Sequence, residues 1–161
     1  MMIDTHSHLY DQCFDVDRPE VMARAKAVGV EKIFLPNEDE TTLESVLRVC
    51  EEYPGFCFPM LGFHPECVDA QYRERLLPMK SFLTTHAFIA IGEVGMDLYW
   101  DQTYRKEQQE AARGLARTTK SRHKQQFPAV CALDSYHDCY AGISTSRENT
   151  WFSAEIITSP P

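Results

Sequence analysis

No run of residues in this sequence is long and apolar enough to cross a bilayer, so a membrane-spanning helix is not expected and no membrane partner is indicated. The first residues lack a basic stretch leading into an apolar core, so a secretory leader is not expected either. Cysteine is present at Cys13, Cys50, Cys57, Cys67, Cys131 and Cys139, but none of these forms a CxxC pair or a zinc-ribbon spacing. Scattered among apolar neighbours, most are expected to be reduced and buried, which points to the cytoplasm. Positive charge is in short supply: 16 Lys and Arg stand against 24 Asp and Glu, for a net charge of −8. A broad electrostatic grip on duplex DNA needs many Lys and Arg contacts to phosphate, and this balance argues against one. It leaves room for a small metal-filled site that holds a phosphate.

What is present is enough for one domain, or for a piece of a larger one: 161 residues, 43% hydrophobic and 25% charged, a globular composition. Charge is unevenly spread, with 10 basic against 20 acidic residues in 1–110 and 6 against 4 in 111–161. Along residues 1–110 one pattern repeats. "MIDTHSH" reads as a strand, and "DVDRPEVMARAKAVG" as a helix with Val21, Met22, Ala25 and Val28 at helical spacing and Gly29 as its stop. "VEKIFLPN" is a second strand, and "DETTLESVLRVCEEYPG" a helix with a stripe of Leu43, Val46, Leu47 and Cys50. "FCFPMLGFHP" is a third strand. "DAQYRERLLPMKSFLTTH" is a third helix that Pro78 should kink or divide, with His86 as its C-terminal cap. "AFIAIGEVGMD" is the fourth strand. Apolar strands alternating with helices imply a parallel sheet covered by helices, an α/β fold. The polar residues His6, His8, Asn37, His64 and Glu93 fall where strands end, the end at which chemistry gathers in such folds.

His6 and His8 are one residue apart, so on a strand they share a face and can converge on one cation. Asp4 precedes them on the same face and suits a supporting hydrogen bond to a ligating ring. Glu93, between glycines at the end of an apolar strand, would be unfavourable to bury unpaired, and coordinating one or two cations removes that penalty. Gly92 and Gly95 would let backbone approach closely. His64, before Pro65, either hydrogen-bonds a substrate phosphate or caps its turn. In "MDLYWD", Asp97 and Tyr99, with Trp100 and Asp101, either line a substrate cleft or pack at a helix start.

In this order and at these separations, "MIDTHSHL", "GFHP", "AIGEVGMDLYW" and "RKEQQEA" resemble the TatD family of metal-dependent deoxyribonucleases, within the amidohydrolase-like barrels. The resemblance runs from residue 2 to about residue 111. It implies a TIM-type barrel that hydrolyses phosphodiesters at DNA ends or in single strands. His6 and His8 then match the HxH metal ligands, Glu93 the glutamate that bridges two metals, and His64 a histidine near the substrate phosphate. One or two divalent ions are implied, Mg, Mn or Zn; imidazole permits Zn, and carboxylate with water permits the harder ions.

After about residue 111 the pattern is lost. Between Leu115 and Phe127 the one apolar residue is Ala116, so no stripe is left to pack on a sheet, and the segment reads as a solvated tail. Where the family's fifth strand carries a ligand histidine, this chain has Cys131-Ala132-Leu133; Asp134 and His137 stand nearby without ligand spacing. The expectation is an N-terminal half-barrel over 1–111, of four strand–helix units, with an irregular tail over 112–161 after a shift of reading frame or other divergence. A closed barrel needs about 250 residues, so a half would leave open sheet edges through which copies could associate. Three functions follow: a TatD-like nuclease, an inactive truncated fragment keeping part of the metal site, and a weak nucleic-acid-binding module using the basic stretch 113–124.

Overall fold

The structure, a computed structural model, describes residues 2–122 and 129–131; Asp134 and His137 lie outside them. Five strands alternate with four long helices: β1 (Met2–Asp4), α1 (Arg18–Ala27), β2 (Val30–Pro36), α2 (Leu43–Glu52), β3 (Cys57–Leu61), α3 (Tyr72–Thr85), β4 (Ala90–Val94), α4 (Arg105–Arg122) and β5 (Ala129–Cys131). Every neighbouring pair is parallel and the strand order is β1-β2-β3-β4-β5, so each strand lies beside its predecessor. That is the wall of a (βα) barrel: the parallel, helix-covered sheet that the alternating pattern implied, in the incomplete-barrel form that the resemblance implied.

Two apolar layers hold the helices to the outside of the sheet. One joins Leu61, Phe63 and Ile91 to Leu76, Met79 and Leu83 of α3 and Ala111, Ala112 and Leu115 of α4. The other joins Ile33, Leu35 and Cys57 to Met22 of α1 and Val46 and Val49 of α2. Leu35, Leu61, Met79 and Leu115 have no exposed surface, and burying each stabilises the fold by about 1.5–3 kcal/mol. On the sheet's inner face Phe34, Met60 and Ala90 form a third, smaller cluster.

Several elements depart from the sequence expectation. β1 stops at Asp4, so His6 and His8 lie beyond the strand, although Ser7 N–H still donates to the Phe34 carbonyl at 3.1 Å and keeps the segment against β2. α3 is not divided by Pro78: that residue faces solvent, so the carbonyl it leaves unpaired can be hydrated, while Leu76, Met79 and Leu83 clamp the other side. His86 does cap α3, its N–H donating to the Phe82 carbonyl. Val28 is not on the packed face of α1; it ends the helix and is 71% exposed. Gly29 follows with φ 90°, a turn that a side chain would strain. α4 continues as helix to Arg122, past residue 111, because Gln108, Ala111, Ala112 and Leu115 form a buried stripe at helical spacing. Among the cysteines Cys57 is buried, Cys50 and Cys67 are half-buried, and Cys13 is exposed, which differs from the expected burial because it lies on a surface turn after β1. No helix of the described residues is long and apolar enough to cross a membrane.

Candidate metal centre

The loop after β1 is held from three sides. Asp4 accepts a hydrogen bond from the His6 backbone N–H at 3.1 Å, so it shapes the loop through the main chain and not, as expected, through an imidazole. Arg18, buried at the start of α1, donates to the carbonyls of Leu9 at 2.7 Å and Asp11 at 3.1 Å and pairs with Asp15 at 2.6 Å. The partner of the His8 ring is Tyr10, whose hydroxyl lies 2.8 Å from His8 Nδ1, with Glu38 Oε1 at 3.4 Å on the same nitrogen. Engaging Nδ1 in this way leaves Nε2 to face inward.

Glu93 reaches the same point from β4. Its approach depends on Gly62: a Cβ there would collide with the backbone of Gly92 and Glu93. Gly62 is in turn fixed by the buried Asn37, whose Oδ1 accepts from Gly62 N at 2.7 Å and whose Nδ2 donates to the Gly62 carbonyl at 3.0 Å. The close approach therefore falls between Gly62, the residue after β3, and the expected Gly92 with Glu93. Of its two alternatives, His64 shows the cap. Its Nδ1 accepts from Glu66 N–H at 3.2 Å and caps the turn, while its Nε2 lies 3.4 Å from Glu93 Oε1.

The donors form a nearly equilateral triangle: His6 Nε2 to His8 Nε2 is 3.1 Å, and Glu93 Oε2 lies 3.3 Å from the first and 3.5 Å from the second. Two ligands on a four-coordinate cation with bonds of about 2.05 Å stand about 3.3 Å apart. Glu93 is 8% exposed, and its Oε2, the oxygen in the triangle, is buried with no hydrogen-bond partner. Two bare imidazole lone pairs at this separation would repel, so a proton or a cation between them is required. The residues thus fit a metal, and His6, His8 and Glu93 are the set that could hold one. Burial works against ionising Glu93, but the imidazoles of His6, His64 and His8 outweigh it and hold its carboxyl well below the ordinary range. The neighbouring Glu93 carboxylate raises the pKa of His6. For His64 burial acts downward, yet Glu93, Glu66 and Glu38 together raise it.

The remaining expected site residues fare differently. Asp97 is buried, and one carboxylate oxygen accepts from Tyr99 N–H at 2.8 Å, so it builds the turn after β4. Tyr99 and Trp100 are 71% and 72% exposed and meet edge to face at 4.7 Å, which leaves both rings open to a ligand. Sequence reasoning missed Gln108, which accepts from Asp97 N and donates to the carbonyls of Asp97 and Pro65, tying the turns after β4 and β3 together. It also missed Arg75, which pairs with Asp39, Glu40 and Asp69 and steadies the acidic loop whose Glu38 carbonyl accepts from His64 N–H at 2.6 Å. The "KEQQE" motif could have pointed to Gln108; Arg75 had no signal beyond its position in a helix.

A parallel βα sheet with histidine and carboxylate donors gathered at its carboxyl ends defines a barrel-type protein with a donor set that could hold a cation. The family model described as TatD related DNase matches residues 3–124, and the chain belongs to that family. It is 35% identical over 113 residues to the Bacillus subtilis protein named uncharacterized metal-dependent hydrolase YabD, covering 70% of this chain and 44% of that one. It is 29% identical to the 3'-5' ssDNA/RNA exonuclease TatD of Edwardsiella piscicida, covering 60% of this chain and 37% of that one. The crystal structure of the TatD homologue YjjV from Escherichia coli K12 superposes with a TM-score of 0.71 at 27% identity, over 81% of this chain and 49% of that chain. The chain thus spans less than half the length of the curated relatives it matches.

Proposed function

We propose that this chain carries the metal-binding half of a metal-dependent phosphodiester hydrolase that removes nucleotides from DNA ends, acting on single strands. The observation that carries the reading is the buried, unpartnered Glu93 Oε2 facing two imidazole nitrogens. His6, His8 and Glu93 would hold the ion. A divalent cation there, Mg, Mn or Zn, supplies charge stabilisation at a phosphoryl oxygen and a water of lowered pKa. Tyr10 and Glu38 orient His8 through Nδ1. With Nδ1 accepting from Glu66, neutral His64 carries its proton on Nε2 and can donate it in a hydrogen bond to a phosphate oxygen beside Glu93. Tyr99 and Trp100 offer stacking surface to unpaired bases. The relatives' names as metal-dependent hydrolase and ssDNA/RNA exonuclease agree with this reading.

The test uses single-stranded DNA labelled at one end, with Mg, Mn or Zn added in turn and metal binding measured on the same preparation. Cation-dependent shortening that the His6→Ala, His8→Ala double variant abolishes is the expected result. Metal bound at the site without shortening identifies a chain that keeps the centre but does not turn over, and refutes the hydrolase reading.

A further inference from the structure

On the outside of the helical layer, α3 and α4 leave between them a cleft of about 450 Å³ that shares no residue with the metal centre. Four cationic side chains line it: Arg73 and Lys80 from α3, Arg113 and Arg117 from α4. Its floor is apolar, made by the buried Tyr72 and Leu76 and by Gly114, whose lack of a side chain keeps the middle open; a Cβ there would come within 3.3 Å of Leu76. One carboxylate lines the cleft, Glu110, and it is already taken up by the Tyr72 hydroxyl and the Arg73 guanidinium. In a protein of net charge −8, the Arg73–Glu110 pair leaves three further cations lining the cleft, which reverses the local sign. Arg113 and Arg117 belong to the basic stretch that composition alone singled out, and the fold brings α3's cations to face them.

We propose that this cleft binds the phosphodiester backbone of single-stranded nucleic acid, as a second contact remote from the reaction. The choice of nucleic acid among polyanions rests on the proposed function. The spacing argues for a strand over a lone phosphate: Arg113 and Arg117 are one turn apart, about 6 Å along the axis, and Arg73 and Lys80 two turns, about 10 Å. A duplex would need a wider basic face than this acidic surface provides. A narrow cationic groove that follows a backbone without reading bases is the usual means of holding a single strand.

The test measures fluorescence anisotropy of labelled decathymidylate with the full chain in EDTA, across a salt series. The Arg113→Glu, Arg117→Glu pair should weaken binding at least about tenfold and flatten the log–log salt slope by about 1.4, since each single-strand phosphate contact contributes about 0.7. The Arg24→Glu, Arg48→Glu pair makes the same charge change on α1 and α2 and should weaken binding less than about twofold. Circular dichroism establishes that all variants fold. The His6→Ala, His8→Ala variant should bind as tightly as the parent, so absence of turnover at the metal centre and absence of this contact are read separately. The proposal is overturned by no binding in the parent, by equal losses in the two charge-reversal pairs, by loss of binding on removing the histidines, or by an acidic peptide that competes as well as the oligonucleotide.

Discussion

Replacing Gly62 by Ala should damage stability and metal binding together. A Cβ at this position runs into Glu93 N, Gly92 C and Glu93 O. All three are backbone atoms, so no rotamer change relieves the overlap, and β3 and β4 must part by at least about 1 Å, because carbon contacts settle at about 3.5–4.0 Å. The two hydrogen bonds that hold Gly62 to the buried Asn37 side chain, at 2.7 and 3.0 Å, are loosened by the same movement. Overpacking of this kind costs about 1–3 kcal/mol, and the involvement of buried polar groups places this case near the top of that range. At roughly 2–4 °C per kcal/mol for a chain of this size, the melting midpoint should fall by roughly 6–12 °C.

The local consequence is larger than the global one. The donor triangle has sides of 3.1, 3.3 and 3.5 Å, and a displacement of Glu93 comparable to the strand movement removes it from bonding distance of a shared ion. Metal affinity should therefore drop at least about tenfold, the size of effect expected when a ligand's support is lost. Thermal melts in EDTA and a zinc or manganese titration on the same samples measure both quantities. Gly114→Ala is the counterpart: its Cβ would meet the flexible Leu76 and Lys80 side chains at 3.3 and 3.4 Å, which can yield. Ala also favours helix by about 1 kcal/mol over Gly, so that variant should melt at or above the parent temperature. A Gly62→Ala protein that melts and binds metal like the parent would refute the reasoning, as would equal damage from the two variants.

Three further outcomes follow from the same geometry. Arg75→Met strands Asp39, Glu40 and Asp69 around an emptied position and should lower urea-unfolding stability by about 2 kcal/mol, less than the ~3–5 of a fully buried pair because the guanidinium is partly solvated; an unchanged midpoint would show the cluster to be ornamental. In metal-free protein, Glu93, with its pKa depressed, contributes stability that is complete above its ordinary value of 4.5 and lost as the pH falls. His6 and His64, raised, contribute stability that is complete below 6.5 and lost as the pH rises through their raised values. Melts in EDTA should therefore show this site's contribution greatest between those two values, and Glu93→Gln should flatten the profile; an identical profile in the variant counts against the imidazole–carboxylate cluster. Burial pushes the Cys50 thiol up to about 12 and Cys57 to about 11, so alkylation at pH 8 should spare both until the protein is unfolded, with exposed Cys13 labelled ahead of them, as peptide mass spectrometry would reveal.

The strand–helix alternation and the polar strand ends were legible because each is a local pattern: a period of 2 or 3.6, and a hydrophilic residue closing an apolar run. That was enough to bring His6, His8, His64 and Glu93 together. The supporting contacts were not legible, since they join residues far apart in the chain. Nothing near Gly62 indicates that the Glu93 backbone lies against it, and nothing near Asn37 indicates that its amide is spent on Gly62. Arg75 appears in sequence as one more helical charge, yet it anchors the loop that carries Glu38. The extent of α4 was legible and was missed: the stripe Gln108, Ala111, Ala112, Leu115 sits at intervals of three and four, but it lies before the polar segment in which the helix was sought.

The charge distribution connects the proposed chemistry to its support. Around the metal centre the acidic groups are numerous: Glu38 beside His8, Glu66 beside His64, and Glu93 at the middle. Of the acidic residues in the neighbouring loops, Asp39, Glu40 and Asp69 are held by Arg75, which keeps their field local. A phosphodiester approaching a metal-free site would meet a surplus of carboxylate, so on the proposed function metal loading governs substrate approach as well as the reaction. The α3–α4 cleft has the opposite sign, with three cations beyond the Arg73–Glu110 pair, and on the proposal needs no metal to attract a strand. The two contacts should therefore respond oppositely to chelation: EDTA abolishes what depends on His6, His8 and Glu93, and leaves intact what depends on Arg113 and Arg117.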